Sequence, residues 1–123
     1  MSKLIAVIDD DESIRDSLRA LLRSAGYQPM TFESAQIFLE SGVATGTACV
    51  ILDVRMPGID GPELQIRLKK EHSCLPMIFI TAHDDRRVRE RVLRAGAVDV
   101  LQKPFPPAAL LSTLQLALRG EAH

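Results

Sequence analysis

Carboxylate, hydroxyl and amine side chains follow the apolar segments of this chain, and together they could carry out phosphoryl transfer. Aspartates follow the first and third segments, a threonine follows the fourth and a lysine follows the fifth. A carboxylate can act as the nucleophile, Mg²⁺ can neutralise phosphoryl oxygens, and an ammonium and a hydroxyl can bind the remaining ones. The candidate residues are Asp9, Asp10, Asp11, Asp53, Thr81 and Lys103. The pattern predicts an aspartate that carries a transient phosphoryl group.

Each candidate also has an ordinary structural interpretation. An aspartate after a strand commonly forms a turn or caps a helix, and we assign that role to Asp11. Taken alone, Thr81 would be a capping residue and Lys103 a solvated surface lysine. The coincidence of Asp10 and Asp53 with these two groups favours the chemical interpretation, because crowded carboxylates repel each other and a hard divalent cation would offset that repulsion.

Continuous apolar runs predict three strands that are buried on both faces. These runs span residues 4–8, 48–52 and 77–80. Two less uniform segments, 28–32 and 98–101, predict strands at the sheet edges. The first of them contains Pro29, which cannot donate to a strand ladder.

Helical spacing of apolar residues separates the predicted strands. The first helix is expected to have Ser13 as its N-cap and to stop at Gly26. Another helix is expected to open at residues 60–62, and the last at Pro107, ending before Gly120. This alternation predicts an α/β fold over residues 1–123, a single flavodoxin-like, doubly wound parallel sheet with strand order 2-1-3-4-5. In that order the first and third strands are neighbours, so their terminal aspartates should converge.

Composition excludes several classes of protein. The chain has 15 basic and 16 acidic residues, a net charge of −1, which is not the basic balance of a nucleic-acid-binding domain. Its 46% hydrophobic and 25% charged residues are typical of a globular domain rather than a disordered chain. Cys49 and Cys74 match no disulfide framework or zinc pattern, so both are interpreted as reduced thiols. The first apolar segment is too short for a signal peptide or a membrane span, so we expect a cytoplasmic location.

Over its whole length the sequence resembles the receiver domains of two-component response regulators. The stretches that carry the resemblance are residues 7–12, 53–61, 80–83, 96–99 and 103–105. The sequences Asp-Val-Arg-Met-Pro, Thr-Ala-His and Ala-Gly-Ala-Val-Asp resemble the FixJ-like branch. Its members usually carry a LuxR-type DNA-binding output domain, so the resemblance implies such a C-terminal domain in the full-length protein and a role in transcription.

The resemblance implies that a sensor histidine kinase phosphorylates Asp53 in a Mg²⁺-dependent reaction. Asp10, Asp53 and the backbone carbonyl of Arg55 would hold the metal, with Asp9 acting through a water molecule. The protein would catalyse its own phosphorylation and dephosphorylation and would not otherwise be an enzyme.

By the same resemblance, Thr81 would be the switch hydroxyl and Lys103 the ammonium that pairs with the phosphoryl group. The Lys103–Pro104 peptide is expected to be cis. The family often places an aromatic ring three residues before the lysine, where this chain has Val100. We therefore expect the signal to pass through the backbone of the loop and helix that follow Thr81.

Arg55 and His83 occupy two positions that vary in this family and flank the phosphorylation chemistry. Both side chains are large enough to shield an acyl phosphate from water or to orient that water, and we favour shielding. An exposed loop histidine is the ordinary interpretation of His83.

The segment after Thr81 is rich in arginine and predicts a fourth helix with a mild positive charge. A solvated helix face with local ion pairs is its ordinary interpretation. Through the resemblance, the fourth helix, fifth strand and fifth helix would form an output face for homodimerisation or for docking an effector domain. Direct nucleic acid binding by this chain, or a membrane contact, is not expected. The arginines are Arg86, Arg87, Arg89, Arg91 and Arg94.

The family also implies where the kinase contacts the chain, over the first helix and the loop after the fifth strand. On this sequence those places correspond to Ile14, Arg15, Pro106 and Pro107. The spacing of Ile14 to Leu18 also fits an ordinary core position.

Three other interpretations remain. A stand-alone regulator would lack an output domain, and a pseudo-receiver would be an interaction module that is never phosphorylated. A small aspartyl phosphatase of the haloacid-dehalogenase type would need a second aspartate at position 55, which is Arg55, and a substrate-binding cap. The intact set of acidic, hydroxyl and amine groups weighs against the pseudo-receiver.

Overall fold

The computed structural model describes residues 2–72 and 74–119. Within these residues, five strands alternate with five α-helices, and a short 3-10 helix spans Val43–Gly46. The strands are β1 (Leu4–Ile8), β2 (Gln28–Phe32), β3 (Cys49–Asp53), β4 (Met77–Thr81) and β5 (Asp99–Gln102). The helices are α1 (Glu12–Ser24), α2 (Ala35–Ser41), α3 (Gly61–Glu71), α4 (Arg86–Arg94) and α5 (Pro107–Arg119).

The five strands form one parallel sheet in the order β2-β1-β3-β4-β5, which confirms the predicted fold. The two mixed strands lie at the edges, as expected, and Pro29 is in the edge strand β2. Strands β1 and β3 are neighbours, with Ile8 opposite Leu52. Their carboxyl ends therefore open at the same rim of the sheet.

Alternate residues of the central strands pack into two separate hydrophobic layers. Helices α1 and α5 cover one face of the sheet, with Leu22 and Leu114 fully buried there. Helices α2, α3 and α4 cover the other, with Phe38, Leu68 and Val92 in its core. Because both faces are sealed, the strand ends are the places where polar side chains can gather.

Several boundaries differ from the sequence prediction. Strands β3 and β4 continue to Asp53 and Thr81, so both residues are held by a strand ladder. The expectation that Ser13 caps α1 is wrong. Asp11 is the N-cap, which confirms its assignment as a turn or capping residue, and its carboxylate accepts the Ser13 N–H at 2.8 Å. Helix α1 ends at Ser24, and Gly26 follows with φ +90°, the left-handed conformation that glycine tolerates.

The other predicted helix starts are confirmed. Asp60 caps α3 by accepting the Glu63 N–H at 2.9 Å, and α5 begins at Pro107. The predicted end of the last helix at Gly120 lies outside the described residues. Among those residues, no helix is both long and apolar enough to cross a bilayer. Cys49 and Cys74 are both free thiols.

Candidate functional site

Three carboxylates converge at the carboxyl rim of the sheet. Asp9 and Asp10 follow β1, Asp53 ends β3, and one oxygen from each lies within 4.8 Å of the others. Asp9 and Asp53 are buried, whereas Asp10 is exposed. The order of the strands brings these residues together, as the sequence predicts.

Lys103 bridges two of these carboxylates. Its Nζ donates to Asp9 Oδ2 at 2.9 Å and to Asp53 Oδ2 at 3.2 Å. The lysine side chain is only 16% exposed, so the contact is largely shielded from water. The peptide between Lys103 and Pro104 is cis, as expected. Lys103 is therefore a buried counter-ion here rather than a solvated surface lysine.

Asp9 is held in place by contacts on all sides. Its Oδ1 accepts the Asp11 N–H at 2.9 Å, and its other oxygen accepts from Lys103. The backbone carbonyl of Asp9 accepts from Arg15 Nη1 at 2.8 Å, and its N–H donates to Phe32 O at 3.1 Å. Because both carboxylate oxygens already have partners, Asp9 suits an indirect contact with a metal, and the exposed Asp10 suits a direct one.

Burial raises the pKa of Asp53, and the neighbouring charge of Asp9 adds to that effect. The charge of Lys103 and the Arg55 N–H, which donates to Asp53 Oδ1 at 3.2 Å, act in the opposite direction without cancelling it. Burial would lower the pKa of Lys103, but its contacts with Asp9 and Asp53 outweigh burial and raise it. Lys103 therefore stays protonated, and its charge does not fully offset the cost of burying the Asp53 carboxylate.

The donor set fits Mg²⁺. Asp10 and Asp53 supply hard carboxylate oxygens at the rim, and Asp9 lies within the same 4.8 Å group. The peptide of Arg55 is tied to the site because its N–H donates to Asp53. A cation here would offset the repulsion between the buried acids.

Thr81 closes the rim from β4. Its side chain is buried, and its Oγ1 donates to His83 O at 2.8 Å and accepts the His83 N–H at 3.1 Å. The Thr81 carbonyl accepts the Lys103 N–H at 2.7 Å. In this state the hydroxyl therefore holds the loop after β4 rather than contacting Asp53.

Gly61 matters more for the site than the sequence indicates. From the sequence alone it is expected only at the start of a helix. A Cβ added at Gly61 would lie 2.7 Å from the Asp53 backbone oxygen and 2.9 Å from the Phe79 ring. The Gly61 N–H also donates to Val54 O at 2.9 Å. Only glycine allows α3 to pack this closely on the strand end that carries Asp53.

Arg55 and His83, for which the sequence predicts a shielding role, are both exposed. The Arg55 guanidinium points to Asp85, with Nη2 3.9 Å from Oδ2, rather than to Asp53. His83 lies in the loop after β4. Val100, at the usual aromatic position, is buried and lines a small cavity beside Thr81 and Val88.

The expected partner surfaces have distinct characters. On α4, Arg86 pairs with Glu90 at 3.4 Å and Arg89 pairs with Asp84 at 3.6 Å, which is the solvated, locally paired face of the ordinary interpretation. The rest of the α4 surface includes Arg87, Arg91 and Arg94, all exposed.

An apolar groove of about 460 Å³ lies between α1 and the loop after β5, next to Lys103. Ile14 and Pro107 line it, as the expected kinase contacts would require. Ile14 is half-buried and packs against the α1–α5 core, which confirms the core interpretation of its spacing. Arg15 is half-buried and bonded to the Asp9 carbonyl, and Pro106 is exposed.

Comparison with known proteins gives consistent matches. Residues 5–115 match the response regulator receiver domain family. The chain is 44% identical over 115 residues to the transcriptional regulatory protein FixJ of Bradyrhizobium diazoefficiens, covering 94% of this chain and 56% of FixJ. It is 40% identical over 114 residues to nodulation protein W of the same organism, covering 93% of this chain and 50% of that protein.

Among solved structures, response regulator StyR superimposes with a TM-score of 0.89 at 43% identity, covering 99% of this chain and 62% of StyR. The chain thus spans about half the length of the curated relatives it matches.

Proposed function

This chain belongs to the response regulator receiver domain family of two-component systems, and we propose that its Asp53 accepts a phosphoryl group from a sensor histidine kinase. The observation that carries the proposal is the Lys103 ammonium, 3.2 Å from Asp53 Oδ2 and anchored at 2.9 Å to the buried Asp9. A fixed cation beside a partly compensated carboxylate is an arrangement suited to receiving a phosphoryl group.

In the proposed reaction an Asp53 carboxylate oxygen attacks the phosphorus of a phosphohistidine. The new O–P bond forms as the P–N bond breaks, and the imidazole leaves with the electron pair and takes up a proton. Asp10, Asp53 and the Arg55 carbonyl would hold Mg²⁺, with Asp9 through a water molecule. When bound, the metal supplies positive charge to the phosphoryl oxygens. Lys103 already lies where it can pair with the product.

The phosphorylated state differs from the resting one in the partner of Thr81. Phosphorylation adds about −1.5 to −2 charge and three strong acceptors. The Thr81 hydroxyl, which now donates to His83 O, would turn to a phosphoryl oxygen. No aromatic ring follows this motion because position 100 is Val100. The change would therefore pass through the backbone of residues 82–85 into α4.

Mass spectrometry after treatment with acetyl phosphate and Mg²⁺ tests the proposal. The parent and the control Asp16→Asn, an exposed aspartate on α1, should gain one phosphoryl group. Asp53→Asn should gain none, and chelation of the metal should abolish the gain in the parent and in Asp16→Asn. Equal labelling of Asp53→Asn and the parent would contradict the assignment, and no labelling of the parent would favour the pseudo-receiver.

We further propose that Arg55 and His83 shield the acyl phosphate from water, and that the protein catalyses only its own phosphorylation and dephosphorylation. The Arg55→Ala, His83→Ala double variant should lose phosphate faster than the parent. An unchanged rate would argue against shielding. A phosphatase of the haloacid-dehalogenase type is disfavoured because position 55 offers a guanidinium, directed at Asp85, in place of an acid.

Proposed partners follow from the surfaces beside the site. The kinase would dock in the groove lined by Ile14 and Pro107. A homodimer would form through α4, β5 and α5, where Leu93 and Leu116 are exposed. Because relatives named as transcriptional regulators are about twice as long, we propose a C-terminal DNA-binding output domain in the full-length protein, which would act in the cytoplasm.

Sedimentation of the protein with and without beryllofluoride, a phosphoryl mimic, tests the dimer. The mimic should shift the parent toward a dimer, and a charge at Leu93 (Leu93→Glu) should prevent that shift. A parent that stays monomeric with the mimic bound would support a stand-alone regulator or an output that does not depend on pairing.

A further inference from the structure

We propose that phosphorylation of Asp53 moves the N-terminal end of α4 while its C-terminal end stays fixed, and we call this arrangement a lever. Gln65 and Lys69 of α3 fix the C-terminal end. An ion pair between Arg55 and Asp85, which phosphorylation releases, holds the N-terminal end. The proposal rests on Asp53 being the phosphoacceptor. It assigns Arg55 and Asp85 as positioning residues that carry the signal in a chain without the usual aromatic residue.

The fixed end of α4 is held by side chains of another helix. Gln65 is buried, and its Nε2 donates to Val92 O at 2.9 Å. One turn further along α3, Lys69 Nζ donates to Ala95 O at 2.8 Å. The last carbonyls of a helix lack partners within the helix and carry partial negative charge, which a lysine offsets. These two contacts tie the end of α4 to α3.

Helix α3 is itself held tightly against the strand that carries Asp53. Gly61 packs so closely that a Cβ there would lie 2.7 Å from the Asp53 backbone oxygen. Its N–H donates to Val54 O at 2.9 Å. Helix α3 therefore connects the C-terminal end of α4 to the strand end that carries Asp53.

The other end of α4 is held by weaker contacts. Asp85 caps α4 through Oδ1, which accepts the N–H groups of Arg87 and Val88 at 3.0 and 3.3 Å. Its Oδ2 is 3.9 Å from Arg55 Nη2, and the two side chains are 40% and 66% exposed. An ion pair with this separation and exposure is weak. The second tether is the pair of hydrogen bonds between Thr81 Oγ1 and His83.

A phosphoryl group on Asp53 would compete for both tethers. The Arg55 N–H already donates to Asp53 Oδ1 at 3.2 Å, so its side chain starts beside the phosphoacceptor. Guanidinium–phosphate pairs are short and can be bidentate, and they outcompete a long exposed carboxylate contact. As Arg55 turns to the phosphoryl oxygens and Thr81 does the same, the 82–85 loop loses both contacts at once.

The lever would replace the function of the absent ring. Val100 is small, and a cavity lies between it, Thr81 and Val88. Because position 100 is a valine, a motion of the start of α4 does not have to displace an aromatic ring there. Meanwhile Gln65 and Lys69 contact only the end of α4. Motion would therefore be largest near Asp85 and smallest near Ala95.

Amide hydrogen exchange of the protein with and without Mg²⁺ and beryllofluoride tests the lever. Without the mimic, Asp85→Asn keeps a capping oxygen but loses the ion pair, so exchange at residues 83–88 should rise about 2- to 5-fold. The matched control is Asp16→Asn, which breaks an exposed aspartate–arginine pair with Arg19 on α1, away from α4. It should leave residues 83–88 within about 1.5-fold of the parent.

Adding the mimic to the parent should raise exchange at residues 83–88 and leave 92–97 protected. The increase in exchange caused by the mimic should be smaller in Asp85→Asn than in the parent. In Lys69→Met the increase should extend to residues 92–97. Combining Arg55→Gln with Asp85→Asn should add little to either alone, since both break one contact.

Two results would overturn the proposal. One is that Asp85→Asn and Asp16→Asn behave alike without the mimic, and the other is that the effects of Arg55→Gln and Asp85→Asn add in full. Failure of the proposed phosphorylation would look different. The mimic would then change nothing in the parent, while the contrast between Asp85→Asn and Asp16→Asn without it would still report on the ion pair.

Discussion

Replacing Lys103 with methionine should destabilise the protein by about 3 kcal/mol, because two buried carboxylates lose their shared cation. Asp9 and Asp53 have oxygens within 4.8 Å of each other. Removing one partner of a buried ion pair leaves the other charge unpaired and costs about 3–5 kcal/mol, and the 16% exposure of the Lys103 side chain places this site at the lower end of that range. Methionine has a similar length and no charge, so packing changes little. With a urea slope of about 2 kcal/mol/M, the unfolding midpoint should fall by about 1.5 M.

Urea unfolding followed by circular dichroism at pH 7 without Mg²⁺ measures the effect. Lys70→Met, an exposed lysine on α3, is the matched control and should cost less than about 0.5 kcal/mol. In an Asp53→Asn background only Asp9 loses a charged partner, and Lys103→Met should cost only about 1.5 kcal/mol, the value of one charge-assisted hydrogen bond to Asp9. A loss equal to that of the control, or one unchanged in the Asp53→Asn background, would refute this account.

Three further predictions concern the acid, the close helix contact and the thiols. Burial raises the pKa of Asp53 above its ordinary 3.8. The protonated Asp53 therefore contributes stability at pH values below 3.8, and this contribution should be lost as the pH rises through the pKa that Asp53 has in the folded protein. Urea unfolding at a series of pH values should show this loss in the parent and not in Asp53→Asn. Gly61→Ala should cost about 1–3 kcal/mol and slow phosphorylation by acetyl phosphate, whereas Gly46→Ala, with no neighbour within 4 Å, should do neither. Burial raises the pKa of Cys49 to about 12, so a disulfide reagent should titrate Cys74 alone in the native protein and neither thiol in native Cys74→Ser.

The sequence predicts the sheet well because each strand has a distinctive pattern of residues within its own segment. A continuous apolar run such as residues 77–80 suits a strand that is buried on both faces, and Pro29 marks an edge. Once the order of the strands is known, the meeting of Asp10 and Asp53 follows from the topology. Most of the proposed site can therefore be located without coordinates.

Contacts between elements far apart in sequence are not predicted in this way. Gln65 reads as a polar residue on a helix surface, yet it is buried against the Val92 carbonyl, 27 positions away. The pairing of Arg55 with Asp85 depends on how two loops face each other. At the start of α1, Asp11 and Ser13 are both good capping residues, and only the backbone geometry selects Asp11.

The border of the sheet at β2 has a consequence for how copies of the protein meet. The Gln28 N–H donates to the Lys3 carbonyl and the Phe32 carbonyl accepts the Asp9 N–H, so both residues face β1. The backbone of Pro29, which lies between them, faces away from β1, and proline has no N–H to donate. Beside it, Arg19 Nη2 donates to Thr31 Oγ1 at 2.6 Å and leaves a guanidinium along the same border. A strand from another molecule would find a missing donor and a positive charge. At high local concentration, copies of the protein are therefore disfavoured from joining their sheets edge to edge, and contacts between helices are favoured instead.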